Sequence, residues 1–139
     1  MLFQRINRNS PEKVFVSVYN ADATALANGD VCTWKTGLTE ATGSGLHVNK
    51  SAATATLIHV AGVATGAIAA AAYGLLQVYG IHSAVKATGT ITAGTHFVVT
   101  AATAGTVKAG TLGTDDGAYL GSCLVTQSGG VAGVFLRLM

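Results

Sequence analysis

The chain has 139 residues; half are apolar, only 10% are charged, and the formal net charge is +2. One domain fits that length, and a charge content far below the roughly 25% of an ordinary soluble domain leaves Ala, Gly and Thr to cover much of the surface, which suits packing against neighbours. Eight scattered Lys and Arg form no clustered basic patch for nucleic acid, six carboxylates leave little material for acid–base pairs, and two cysteines are too few for a disulfide framework.

Residues 1–13 read as an extended N-terminal arm, ending near Ser10-Pro11. Leu2, Gln4 and Ile6 alternate there against Phe3, Arg5 and Asn7, a short strand with no obvious partner in its own chain. Such a segment can add to an exposed sheet edge of another protein; the alternative is a frayed terminus. MLFQRINRNSPEK has no continuous apolar core of a secretory signal, so the protein is expected to be made inside a cell or assembled there.

From residue 14 the pattern turns to period two, with Val14, Val16 and Val18 alternating against Phe15, Ser17 and Tyr19. Asn28-Gly29 is a tight-turn dipeptide leading into a strand over Val31–Trp34. Residues 36–55, rich in Thr, Ser, Gly and Ala, read as a long loop. Leu57, Ile58 and Val60 begin a glycine hairpin. Its tip, Ala67–Ala72, is a wide turn or one helical turn, because alanine favours helix but the run is bounded by Gly66 and Gly74. Strands follow over Leu75–Ile81, His82–Ala87 and His96–Thr100, with turns at Thr92–Thr95 and Ala104-Gly105 and a loop over Thr111–Gly117. A final hairpin pairs Tyr119–Thr126 with Val131–Leu138 through Ser128-Gly129-Gly130. The expected fold is all-β: a small barrel or sandwich of short antiparallel strands behind the arm, with residues 14–139 forming one domain.

Self-similarity refines this. VAGVATGAIAAAAYGLLQVY (60–79) echoes YLGSCLVTQSGGVAGVFLRL (119–138): Gly62 and Gly74 in the first match Gly121 and Gly133 in the second. NADATALANGDVCTW, ending at Trp34, echoes VKATGTITAGTHFVV, ending at Val99, with Gly29 over Gly94. These echoes imply an internal two-fold repeat, with related halves of about 14–79 and 80–139.

Sequence-local chemistry is absent. His47, His59, His82 and His96 make no HExxH or HxxxH pair and there is no CxxC; His59, His82 and His96 could meet only by folding. Asp115-Asp116-Gly117 lacks the spaced acids of a calcium loop and is explained by a turn. Gly43-Ser44-Gly45 and Gly121-Ser122-Cys123 fall short of a nucleophile elbow. Cys32 and Cys123, in apolar strands, read as buried free thiols. No catalytic residue, cofactor or metal is expected. Residues 51–81 carry no formal charge and include the spacing Gly62…Gly66, but Ala, Gly and Thr are weakly apolar and His59 and Gln77 interrupt them, so no membrane span is expected. Among the aromatics, Trp34 and Tyr79 are candidates for a subunit interface because of their size.

AGVATGAIAAAAYGLLQVYGIHSAVKATGTITAG (61–94) and the terminal YLGSCLVTQSGGVAGVFLRL resemble the small capsid cement, or head-decoration, proteins of bacteriophages. The resemblance covers about residues 14–139 and rests on Gly74–Gly80, Ala93-Gly94-Thr95 and the terminal strand Val134–Leu138. Thr95 stands where the family commonly has an acid, which Asp30 retains in the first half. The resemblance implies a barrel-like subunit, usually a trimer, that sits on the outer face of the virion capsid, is assembled in the host cytoplasm, and clamps neighbouring major capsid subunits without catalysis or cofactor. Leu2, Phe3, Gln4, Arg5, Ile6 and Arg8 are then the candidate capsid contacts. The alternatives are another virion component, such as a tail-tube or minor head protein, and a small β-barrel ligand-binding protein using its histidines.

Overall fold

The computed structural model describes residues 12–35, 46–52, 60–95, 98–100, 103–111 and 119–138. They form nine strands and no helix: β1 Val14–Asn20, β2 Val31–Trp34, β3 His47–Lys50, β4 Val60–Ala64, β5 Tyr73–Ile91, β6 Val98–Thr100, β7 Val107–Ala109, β8 Tyr119–Cys123 and β9 Gln127–Arg137. The all-β class is as expected, but two pairs, β1–β3 and β5–β7, run parallel, and β5 is 19 residues long.

Pairing order explains why β5 must be long. The sheet runs β1-β3-β2-β4-β5-β7-β6-β8-β9, with further pairings β1–β5 and β5–β9. The first half of β5 therefore closes a five-stranded circuit with β1, β3, β2 and β4. Its second half closes another with β7, β6, β8 and β9. The senses correspond pair by pair: the parallel β1–β3 matches β5–β7, and antiparallel β2–β3, β2–β4, β4–β5 and β1–β5 match β6–β7, β6–β8, β8–β9 and β5–β9.

Each circuit surrounds its own core. Val18, Leu26, Cys32, Val48, Ala61, Ala64, Ile68 and Leu76 fill the first. Val85, Ile91, Val107, Leu120, Cys123, Val134 and Leu136 fill the second, joined by Val31 and Val63. Alternation along β2 sends Cys32 into one core and Val31 into the other, so this strand is buried on both faces.

The turns before β2 and β6 repeat in hydrogen-bond detail. Gly29 N–H donates to the Ala64 carbonyl, Ala64 N–H to the Asp30 carbonyl and Asp30 N–H to the Ala27 carbonyl. In the second circuit Gly94, Cys123 and Thr95 donate to Cys123, Thr95 and Thr92 in the same way. Ala64 is thus the counterpart of Cys123. Because Ala64 pairs with Leu76 and Cys123 with Val134, Leu76 corresponds to Val134 and Gly74 to Ala132. The glycine spacing in the sequence pairs Gly74 with Gly133 instead, one residue out. The first hairpin carries one extra residue, and Gly74 is required for a different reason: a Cβ there would lie 2.5 Å from the Ile68 side chain.

Several local expectations are corrected. Residues 47–50 form β3 inside the expected loop, where His-Val-Asn-Lys offers only Val48 to the core. The two strands expected over Leu75–Ile81 and His82–Ala87 are one, because Gly80 at φ 92° and a register shift between His82 and Val85 bend β5 without ending it. The last turn falls just before β9, around Val125, while Ser128 and Gly130 already pair with Thr90 and Ala87 across a second register shift. Ala67–Ala72 forms a turn, pinned by a bridge between Leu26 and Ile68. Leu57, Ile58 and most of the expected loop Thr111–Gly117 lie outside the described residues.

Candidate functional site

The outer face of β1 and β5 gathers three exposed large apolar side chains, Phe15, Tyr73 and Leu75. Opposed residues share a face, and here Phe15 opposes Gln77, Ser17 opposes Leu75 and Tyr19 opposes Tyr73. The other face of the same ladder carries Val18 and Leu76 into the first core. Outside, Tyr73 is 71% exposed, Leu75 51% and Phe15 47%. Tyr19 meets His47 edge-on at 4.7 Å and Tyr73 at 5.1 Å between centroids, which holds the Tyr73 ring in place although solvent surrounds most of it.

The second circuit repeats the arrangement with aliphatic residues. Lys86 opposes Val131 as Tyr19 opposes Tyr73, so Tyr73 corresponds to Val131, itself 48% exposed. Leu75 corresponds to Gly133, and Val125, 56% exposed, approaches that glycine to within 3.9 Å of where a Cβ would stand. Each circuit thus shows an apolar patch at an equivalent place.

Two clefts flank the first circuit. One, of ≈ 250 Å³, is lined by Lys13, Phe15, Asn28, Thr65, Gln77, His82, Ser83 and Ala84. The other, of ≈ 350 Å³, includes Tyr19, Asp22, Lys35 and His47. His47 and His82 therefore stand in separate clefts, while His59 and His96 lie outside the described residues. Among the described residues no three His, Cys, Asp or Glu side chains group as metal ligands, and no helix is long and apolar enough to cross a membrane.

A buried carboxylate paired with two lysines joins the circuits. Asp30 is 1% exposed; its Oδ1 lies 2.6 Å from Lys86 Nζ and its Oδ2 3.1 Å from Lys50 Nζ, and Oδ2 also accepts the Ala27 N–H at 2.8 Å. Burial pulls this carboxyl upward, but Lys86, the Ala27 amide and Lys50 together outweigh it and hold it below its ordinary 3.8. Lys86 comes from the second half of β5 and Asp30 from the turn before β2, so the ion pair bridges the two circuits. Both cysteines are free and buried, one in each core; burial, with Asp30 nearby, pushes the Cys32 thiol up to about 12, a protonated and unreactive form.

Of the residues singled out in the sequence, Leu2, Phe3, Gln4, Arg5, Ile6 and Arg8 lie outside the described residues. Trp34 is half-buried at the end of β2 and packs on the first core. Tyr79 is half-buried, edge-on to Phe135 at 5.3 Å. Size alone pointed to these two, whereas among the described residues the freely exposed aromatic side chains are Tyr73 and Phe15. No protein-family model matches the chain, and no curated protein and no solved structure matches it either.

Proposed function

We propose that the chain is a structural virion protein that decorates the outer surface of a phage capsid and clamps neighbouring major capsid subunits. The observation that carries this reading is the pair of apolar patches, Phe15, Tyr73 and Leu75 on one circuit and Val125 and Val131 on the other. A chain that offers two like patches at equivalent positions suits a partner that presents the same subunit twice. Linking two weak contacts makes the second intramolecular, and avidity then exceeds either affinity. The low charge of the surface and the resemblance of residues 61–94 and 119–138 to cement proteins support the same reading. A homotrimer, the assembly that resemblance implies, would multiply the contacts further, and its mass in solution is the direct test.

The proposal is tested by mixing the protein with expanded, undecorated capsids and following co-sedimentation and heat resistance of the shells; no binding ends it. Leu75→Asp should weaken capsid binding about tenfold or more, the scale of a contributing interface residue, with little loss of fold stability because Leu75 lies outside both cores. Unchanged binding by Leu75→Asp combined with Val131→Asp would remove the patches from the reading. Deleting residues 1–8 should weaken binding and leave the melting temperature of the domain unchanged; binding at full strength would exclude the arm as a capsid contact.

A further inference from the structure

His82 sits at the point where β5 passes from one circuit to the other, 6% exposed at the end of the smaller cleft. Its Nδ1 accepts the Ala84 N–H at 3.2 Å. An accepting nitrogen carries no proton, so the ring proton is on Nε2, and the Ala64 backbone at the end of β4 is close enough to favour a proton on the ring. The neutral ring therefore ties the bulged segment Ser83-Ala84, which has no partner on β9, to the end of β4. That segment is also what the turn before β2 leans on: the Ala84 carbonyl lies against Gly29, whose N–H donates to the Ala64 carbonyl and whose own carbonyl accepts the Lys86 N–H.

Two of the polar groups lining the cleft that reaches this ring are already engaged. Thr65 Oγ1 donates to the Leu75 carbonyl and Gln77 Nε2 to the Tyr79 carbonyl, and the cleft gives solvent access to the imidazole. The charged side chain that faces the ring is Lys13, from the entry to β1; β4 and the turn contribute Thr65 and Asn28, β5 contributes Gln77 and Ser83, and Asp30 is taken by Lys86 and Lys50. Among the described residues no carboxylate lines the cleft to stabilise an imidazolium.

We propose that His82 is a pH-sensitive latch between the two circuits. When the ring takes a second proton from solvent, Nδ1 becomes a donor, the Ala84 N–H loses its acceptor, and the 83–84 bulge releases the turn around Gly29. The device stands apart from the capsid reading and holds whatever the partner is. Burial holds the folded imidazole below its ordinary 6.5; the Ala64 backbone pulls it upward and Lys13 pushes it down again. The open form titrates near 6.5 and the closed form lower. The latch is therefore fully closed above 6.5 and is lost as the pH falls toward the folded value.

The test is amide exchange of Ala84 in the intact protein, corrected for the intrinsic pH dependence of exchange, with the His82 ring followed by NMR. Opening at Ala84 should rise by up to roughly tenfold per pH unit below 6.5 until the ring itself titrates. The Cys123 amide, bonded to Thr95 in the second circuit as Ala64 is to Asp30 in the first, should change much less. His82→Asn keeps a side-chain acceptor for the amide two residues on, as Asn20 already provides for Asp22, but cannot protonate, and should abolish the pH dependence. Flat protection of Ala84 through the wild-type titration overturns the latch, as does an equal rise in His82→Asn. Should that variant fail to fold, the wild-type exchange and ring titration decide alone.

Discussion

Asp30→Asn lowers stability by about 2–4 kcal/mol, less than the roughly 3–5 kcal/mol for breaking a fully buried ion pair because both lysines keep access to water, and moves the urea midpoint down by roughly 1–2 M on the slope of a domain this size. The carboxylate is enclosed, whereas Lys86 and Lys50 retain 37% and 26% of their side-chain exposure. After the substitution both ammonium groups can turn to solvent, which limits the loss. What remains uncompensated is the join: β3, β5 and the turn before β2 no longer share an anion. The pH dependence identifies the cause. Because the folded carboxyl sits below 3.8, its contribution is complete above that value and fades as the pH falls through the folded pKa. The gap between wild type and Asp30→Asn should therefore be widest near neutrality and close in acid. Equal urea midpoints at neutral pH would show that Asp30 does not hold the circuits together.

The physics of that join also marks how far sequence reading reaches. Period-two patterning over Val14–Tyr19 and the turn dipeptides Asn28-Gly29 and Ala93-Gly94 are local, and they locate β1 and the turns before β2 and β6. The echo between residues 20–34 and 85–99 falls on turns that share three hydrogen bonds. Other features depend on distant partners. Lys86 is 56 residues from the carboxylate it pairs with, and nothing in the spacing announces it. The outward face of β5 is hidden for a related reason: Tyr73, Leu75, Leu76 and Val78 are apolar on both faces of the strand, so alternation cannot say that Leu76 goes inward and Tyr73 and Leu75 outward. β3 escapes notice because two backbone ladders hold it, with only Val48 committed to the core. Ser128-Gly129-Gly130 has the composition of a turn, yet the chain has already turned before residue 127 and Gly130, at φ 83°, sits within β9.

Gly29→Ala should cost about 4 kcal/mol or more, in the range reserved for core-scale damage, while Gly94→Ala should cost only about 1–2 kcal/mol. The two glycines hold the same place in equivalent turns, with φ of 82° and 83° and matching hydrogen bonds through Ala64 and Cys123. A side chain at either must adopt the left-handed region, so that penalty is common to both. Their surroundings differ. A Cβ on Gly29 would lie 1.9 Å from the Ala84 carbonyl oxygen and 3.3 Å from the Lys86 nitrogen, both backbone atoms of β5 that cannot swing aside. A Cβ on Gly94 meets nothing within 4 Å among the described residues. Subtracting one loss from the other, by urea unfolding of both variants, removes the shared backbone penalty and leaves the contact between the turn and β5. A soluble Gly94→Ala beside a Gly29→Ala that does not fold carries the same meaning, whereas equal losses would show that the turn before β2 bears no more of the join between the circuits than its counterpart does.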